Sequence, residues 1–424
     1  MLKMTRDTLI GMALIVLVAE NAYSSPDLDI YEVIDLGIFI GNYGSEDRSW
    51  AVGISDSGDV AGGGPNVLAS GRTIALLWKP GQDVQVLTND GALNYVATDM
   101  NSFGTVSGYR GSPPRACVWF GGYYDGNLPE VSDPPSGPYP FRAFALGVSD
   151  SGLVCGNTTW DTRNAPGDFY DRATLWTGSG PIDLGVLDGY QDSVANDVNS
   201  IGIVTGECIG GPDGIRTGFV TLMPWEMTPL DPVAGYDSCW GSGISESGVV
   251  VGTSAGNLGY VATVWNGGGA FELPTPSNAS GSSALVSCNS GDILGHCTFP
   301  DREQPYAAIW HDGSVFKLVD DMTSSDDSQN YSVIELTGIN SRGWMCGTAI
   351  FFDQPGSPEH AVRLVNRCNV ADQSLPFAVL DLADINSFVS NFFSGDPDAD
   401  FNDDQIFDLA DIVVFVDEFQ RGCL

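Results

Sequence analysis

The chain has 424 residues, with 17 Lys and Arg against 54 Asp and Glu, and a formal net charge of -37. So few cations argue against a nucleic-acid backbone or an anionic membrane surface as partner, because both need clustered positive charge. The balance favours solubility and divalent cations, while a hydrophobic content of 43% suffices for a core and 53 glycines mark a turn-rich chain.

The first element is a leader. Lys3 and Arg6 precede the apolar run Leu9 to Val18, and Ala22 and Ser24 supply small residues for cleavage. The run is shorter than the about 20 residues of a membrane span. Residues 1–24 therefore read as a signal peptide, and the rest as a secreted or cell-surface chain with no membrane insertion.

Residues 25–366 repeat one phrase seven times. It begins at Ala51, Ala97, Ala145, Ala195, Gly241, Ala284 and Leu336, and its central glycines are Gly58, Gly104, Gly152, Gly202, Gly248, Gly291 and Gly343. A period of this size marks a propeller or a solenoid. Each phrase reads as a hairpin: apolar residues alternate on both sides of a turn of the type Asn/Asp-Ser-x-Gly, where Gly supplies positive φ. A strand such as Val33 to Gly37 precedes the hairpin and one such as Ala75 to Trp78 follows it. Four short strands per unit is the content of one blade, so the expectation is an all-β seven-bladed propeller. Its closure should pair Tyr31 to Gly37 with Ala361 to Val365, since an unpaired edge would otherwise remain.

Trp78, Trp119, Trp176, Trp265 and Trp310 recur at one place in their units. That regularity points to packing between blades rather than to sugar stacking. Trp160, Tyr123, Tyr124, Tyr139 and Tyr170 lie in irregular insertions and are better ligand candidates. Asp56, Asp150 and Glu246 occupy equivalent turn positions and read as turn formers. The phrase resembles the HAF repeat of bacterial extracellular proteins over residues 31 to about 365, a resemblance that implies fold and location but no chemistry.

Signals for catalysis are sparse. His296, His311 and His360 are the chain's three histidines, and none has a metal-ligand spacing. No G-x-S-x-G elbow supports a Ser-His-Asp set: Gly252 to Gly256 fits the letters, but no helical pattern follows it. Gly62 to Asn66 lacks the Lys-Ser/Thr of a phosphate loop. A glycosidase needs two carboxylates at a set separation, which one-dimensional sequence does not reveal. The cofactor-binding and catalytic residues are therefore unassigned.

The tail, residues 367–424, carries a second repeat. Leu380 to Ile385 returns as Phe407 to Ile412, and each copy opens an amphipathic helix. The apolar faces are Ile385, Phe388, Val389 and Phe392, then Ile412, Phe415, Val416 and Phe419. Asp400, Asn402, Asp404, Ile406 through its carbonyl, Asp408 and Asp411 fall at the spacing that wraps hard oxygens round calcium. Gln405 replaces the usual Gly, and Asp411 the usual Glu. The first copy is one residue too long and holds Pro376; Asp372, Ser374, Asp381 and Asp384 form a weaker loop. Cys368 and Cys423 bracket the tail and are expected to pair. Nine cysteines in all fit an oxidising compartment, and the pairing of the other seven is open.

The paired loop-helix arrangement resembles a dockerin domain, in the variant with a Cys at each end. The resemblance implies two calcium loops and a cohesin-like partner. The resulting expectation is an exported, non-catalytic propeller anchored outside the cell through a small α-helical calcium-loop module. The alternatives are a polysaccharide-active enzyme of glycoside hydrolase type and a purely structural surface protein.

Overall fold

The computed structural model describes residues 30–38, 48–65, 72–87, 94–129, 142–161, 169–222, 225–267, 269–288, 291–311, 315–319, 331–354, 358–367, 382–394, 399 and 406–421. The chain divides into two compact units. One, Ile34–Asp321 with Ser325–Arg363, carries a ring of blades; the other, Met1–Val33, Met322–Ser324 and Leu364–Leu424, carries two helices.

The first unit is a seven-bladed β-propeller of four-stranded sheets. The innermost strand of each blade is the first arm of the repeated hairpin: Trp50–Ile54, Tyr95–Met100, Arg142–Val148, Asp192–Val198, Ser238–Ile244, Gly281–Ser287 and Tyr331–Ile339. Each packs beside the inner strand of both neighbouring blades, the first against the seventh included, so the ring is closed. The seven central glycines all lie at φ between 76° and 95°, where a side chain is strained and Gly is not.

The sequence unit and the blade are offset by one strand. The strand before each hairpin completes the preceding blade: Gln85–Val86 is the outer strand of blade 1, Gly180–Gly185 of blade 3 and Val315–Leu318 of blade 6. The first such strand, Ile30–Asp35, has no preceding blade and takes the outer edge of blade 7, beside Glu359–Arg367. Leu36 N donates to Ala361 O at 3.0 Å and Ser49 N to Glu359 O at 2.9 Å. His360 Nδ1 lies 2.8 Å from Asp35 Oδ1 across the same seam. This is the closure expected from the sequence.

The five recurrent tryptophans are buried. Three donate their indole N–H to the chain leaving the preceding blade: Trp176 to Pro129 O at 2.9 Å, Trp265 to Asp231 O at 2.7 Å and Trp310 to Pro274 O at 2.7 Å. They staple blade to blade. The seven cysteines of the ring are free thiols, six of them buried, so the oxidising compartment expected from the cysteine count leaves no disulfide among the described residues. Burial pushes Cys208 and Cys239 up to about 11, and Cys117, Cys297 and Cys346 up to about 12, so they serve as small apolar side chains. Cys368 and Cys423 lie outside the described residues.

In the second unit the helices are Leu382–Ser394 and Leu409–Arg421. The expected faces meet: Ile385, Phe388, Val389, Ile412, Phe415 and Val416 form one buried cluster with Ala399. Phe388 stacks on Phe415 with centroids 4.0 Å apart. No described helix is long and apolar enough to cross a membrane.

Candidate functional site

Every inner strand carries a bulge at one place, shown by register breaks at Ala51/Gly53, Ala97/Asp99, Ala145/Gly147, Ala195/Asp197, Gly241/Gly243, Ala284/Val286 and Leu336/Gly338. A bulge re-aims the side chains beside it. In blades 2, 4 and 7 the bulged residue is polar and reaches the next blade: Thr98 Oγ1 donates to Ala145 O at 2.9 Å, Asn196 Nδ2 to Gly241 O at 2.8 Å and Thr337 Oγ1 to Ala51 O at 3.1 Å.

The turns follow the same grouping. Asn101, Asn199 and Asn340 open the turns of blades 2, 4 and 7 and donate to Ser149 O, Ser245 O and Ser55 O of the next blade at 2.9, 3.2 and 2.9 Å. From the same turns Ser102 N also donates to Asp150 Oδ1, Ser200 N to Glu246 Oε2 and Ser341 N to Asp56 Oδ1. Asp56, Asp150 and Glu246 are thus more than the turn formers expected from sequence; they are acceptors that tie neighbouring blades together.

At the position after the bulge stand Gly53, Asp99, Gly147, Asp197, Gly243, Val286 and Gly338. The two acids form the candidate site, and sequence reasoning missed them, although Asp at a position held by Gly or Val elsewhere was a readable signal. Asp99 Oδ1 accepts from Met100 N at 2.7 Å and Oδ2 from Val148 N of blade 3 at 2.8 Å. Asp197 repeats this with Val198 N at 2.7 Å and Ile244 N of blade 5 at 2.8 Å. The receiving strand carries Gly at a crowded place: a Cβ on Gly147 would stand 3.0 Å from Asn196 O, a tight contact, and one on Gly243 would stand 2.6 Å from Leu285 O, where the backbone would have to shift.

Both carboxyls are half-buried by accessible surface but sit deep in the ring, and that depth governs their protonation. Burial raises Asp99 to about 6 against the lowering effect of its N–H donors, with Asp150 adding repulsion. Burial raises Asp197 to about 8, helped by the charge of Asp99 and, less, of Glu246. Cys155 and Cys346 are the thiols that feel these charges. The pair can hold a proton near neutral pH.

The other candidates are scattered. His296 lies in blade 6, its protonation disfavoured by burial. His311 Nδ1 meets Asp292 Oδ1 at 2.6 Å in the same blade, and His360 sits at the seam. Tyr123 is exposed on blade 2, while Tyr124 OH donates to Asn127 Oδ1 at 2.7 Å. Trp160 pairs in register with Tyr170 in blade 3. Tyr139 lies outside the described residues.

In the tail, Asp400, Asn402, Asp404, Asp372, Ser374 and Asp381 also lie outside them. Of the remaining calcium candidates, Ile406 and Asp408 are exposed, whereas Asp384 and Asp411 are fully buried. Asp408 N donates to Asp411 Oδ2 at 2.9 Å, and Ala410 N to Asp408 Oδ1 at 2.7 Å. Among the described residues no three His, Cys, Asp or Glu converge as a metal cluster.

No family model matches the chain, and no curated protein matches its sequence. Solved structures do match in fold. Virginiamycin B lyase from Staphylococcus aureus aligns at 11% identity and TM-score 0.43, over 79% of this chain and 99% of its own. Oligogalacturonate lyase from Vibrio parahaemolyticus aligns at 10% and 0.48, over 80% and 98%. The β-propeller domain of a Pyrococcus furiosus protease aligns at 8% and 0.46, over 66% and 83%. At these identities the likeness concerns the propeller fold alone.

Proposed function

We propose that this chain is an exported, non-catalytic propeller, anchored or assembled outside the cell through a calcium-dependent, dockerin-like tail with a cohesin-like partner. One observation carries the reading: Asp384 and Asp411, at matched places in the two tail repeats, are both fully buried at the starts of their helices. Asp411 already accepts from Asp408 N at 2.9 Å, and the last position of a calcium loop is where a buried carboxylate is expected. The donor chemistry fits a hard cation, since the second loop supplies carboxylates and an amide at alternate positions ahead of Asp411. Calcium would supply the charge that gathers these oxygens. The chain's own part is to end the loop on a helix whose apolar face is already directed at its twin.

Calorimetric titration of the whole secreted protein with calcium tests this. Uptake that gains helix signal and disappears in Asp400→Ala supports the reading; a helix signal indifferent to calcium refutes it.

The polysaccharide-active alternative has one observation in its favour. Asp99 and Asp197 are interacting carboxyls with raised affinity for protons, and glycosidic-bond hydrolysis uses such a pair. Against it, both oxygens of each carboxyl already accept backbone N–H bonds. Turnover on a glycan panel that vanishes in Asp197→Asn would establish the alternative, whereas saturable glycan binding without turnover supports a binding module.

A further inference from the structure

The two kinds of turn differ in what they ask of their third residue. In the Ser-type turns the third residue is Ser57, Ser151 or Ser247, whose hydroxyl bonds Ser55, Ser149 or Ser245 at 2.8, 3.1 and 2.8 Å. The Asn-type turns bond themselves: Asn101 Oδ1 accepts from Thr105 N at 2.9 Å, and Asn199 Oδ1 from Ile203 N at 2.9 Å. Their third residue has no such task. Yet it is Phe103 in blade 2, 72% exposed, and Ile201 in blade 4, 66% exposed. A polar residue there would cost the turn nothing.

These side chains have company. The hairpin turn and the turn after the third strand lie at the same end of a blade. At that second turn blade 2 exposes Phe120 and Tyr123, and blade 4 exposes Leu222. Blade 3 connects them: Ser102, next to Phe103, bonds Asp150, and Leu153 of the same turn approaches Gly202, next to Ile201. The described turn residues at this end of blades 2 to 5, 101–104, 120–123, 149–153, 177–180, 199–203, 222, 225–226, 245–249, 265–267 and 269–270, contain Asp150, Glu226 and Glu246 and no Lys, Arg or His. Cations at this end belong to blades 7 and 1: Arg342 and Arg363 near the Trp344 ring, and Lys79 beside Asp59.

We propose that this end of blades 2 to 5 is a docking surface for a polypeptide segment that presents apolar side chains spaced by Lys or Arg. Exposed large apolar residues gathered at one end of neighbouring blades, here Phe103, Phe120 and Tyr123 with Ile201 and Leu222, mark a contact site, and an acidic, cation-free rim selects a basic partner and steers its approach. The inference is independent of the tail and of calcium.

The test is fluorescence anisotropy with the full-length secreted protein and three labelled peptides of equal length: Leu/Lys, Leu/Glu and Ser/Lys. The Leu/Lys peptide should bind most tightly, and salt should weaken it. The double variant F103S/I201S should weaken it by about tenfold or more, while F352S, which removes an exposed Phe from the opposite end of blade 7, should not. Matching melting curves establish that the variants fold. Equal binding by wild type and F103S/I201S would overturn the proposal, as charge elsewhere would then hold the peptide. Equal binding of Leu/Glu or Ser/Lys peptides would overturn it too. Concentration-dependent self-association lost in the double variant would assign the surface to a second copy instead, and loss of binding to a neutral glycan panel without loss of peptide binding would assign it to sugar.

Discussion

The ring and the tail are both built from repeats, but they solve the packing problem differently. In the ring, each blade is stapled to its neighbour by side chains of the repeat itself, such as Asn199 on Ser245 and Trp265 on Asp231. Seven copies close on one another. In the tail, two copies share one small cluster centred on Phe388 and Phe415. A core that small is marginal, and its helices begin beside buried acids. The lesson is that repetition stabilises by the number of junctions it creates, and two copies create one.

Calcium removal should separate the regions most. If the tail binds calcium as proposed, chelation is expected to abolish a tail transition in calorimetry and leave the ring's transition unmoved, because binding energy would there be folding energy. Magnesium should restore little. A single transition that shifts as a whole would break the comparison.

Large-to-small changes come next. Phe415→Ala and Trp119→Ala should each cost about 3–5 kcal/mol. The tail should unfold outright while the ring still melts cooperatively, as circular dichroism against temperature would show. Reduction should then cost the tail about 2–4 kcal/mol if Cys368 and Cys423 are joined. It should not move the ring, whose thiols are already free. Labelling of both tail thiols in the unreduced protein would rule the bond out.

A single junction is a smaller effect. Asn340→Ala removes the bond to Ser55 O at the ring's closing junction and leaves Trp344 N without its Asn340 Oδ1 acceptor. The expected loss in denaturant melts is about 1–3 kcal/mol, with Asn199→Ala similar. A far larger loss at Asn340 would mean that ring closure depends on this one turn.

The smallest difference should be the pH effect of the axial acids. Their folded pKa values lie above the ordinary 3.8, so the ring holds protons that the unfolded chain has released. That contribution is fully present below about pH 4 and is lost as pH rises through about 6 and about 8. Asp197→Asn should flatten the fall in melting temperature between those values. The gain is modest because the amide sets an N–H against a backbone donor. Parallel curves for wild type and variant would show that Asp197 does not titrate in this window.

The sequence by itself determined whatever depends on neighbours along the chain. The turns follow from Asn-Ser-x-Gly at Asn101, Asn199 and Asn340 and from Ser-x-Ser-Gly at Ser55, Ser149 and Ser245, since φ above zero at Gly202 or Gly343 is a local demand. The tail helices follow from apolar residues at 3.6-residue spacing, and the seam follows from a strand, Ile30–Asp35, left without a blade of its own. Tertiary structure decided what depends on closure of the ring. Only the assembled ring brings the charge of Asp99 near enough to raise the proton affinity of Asp197, shields six thiols from solvent, and sets Asn-type turns against Ser-type turns. Those effects depend on distances across blade junctions and the ring, which chain spacing does not encode.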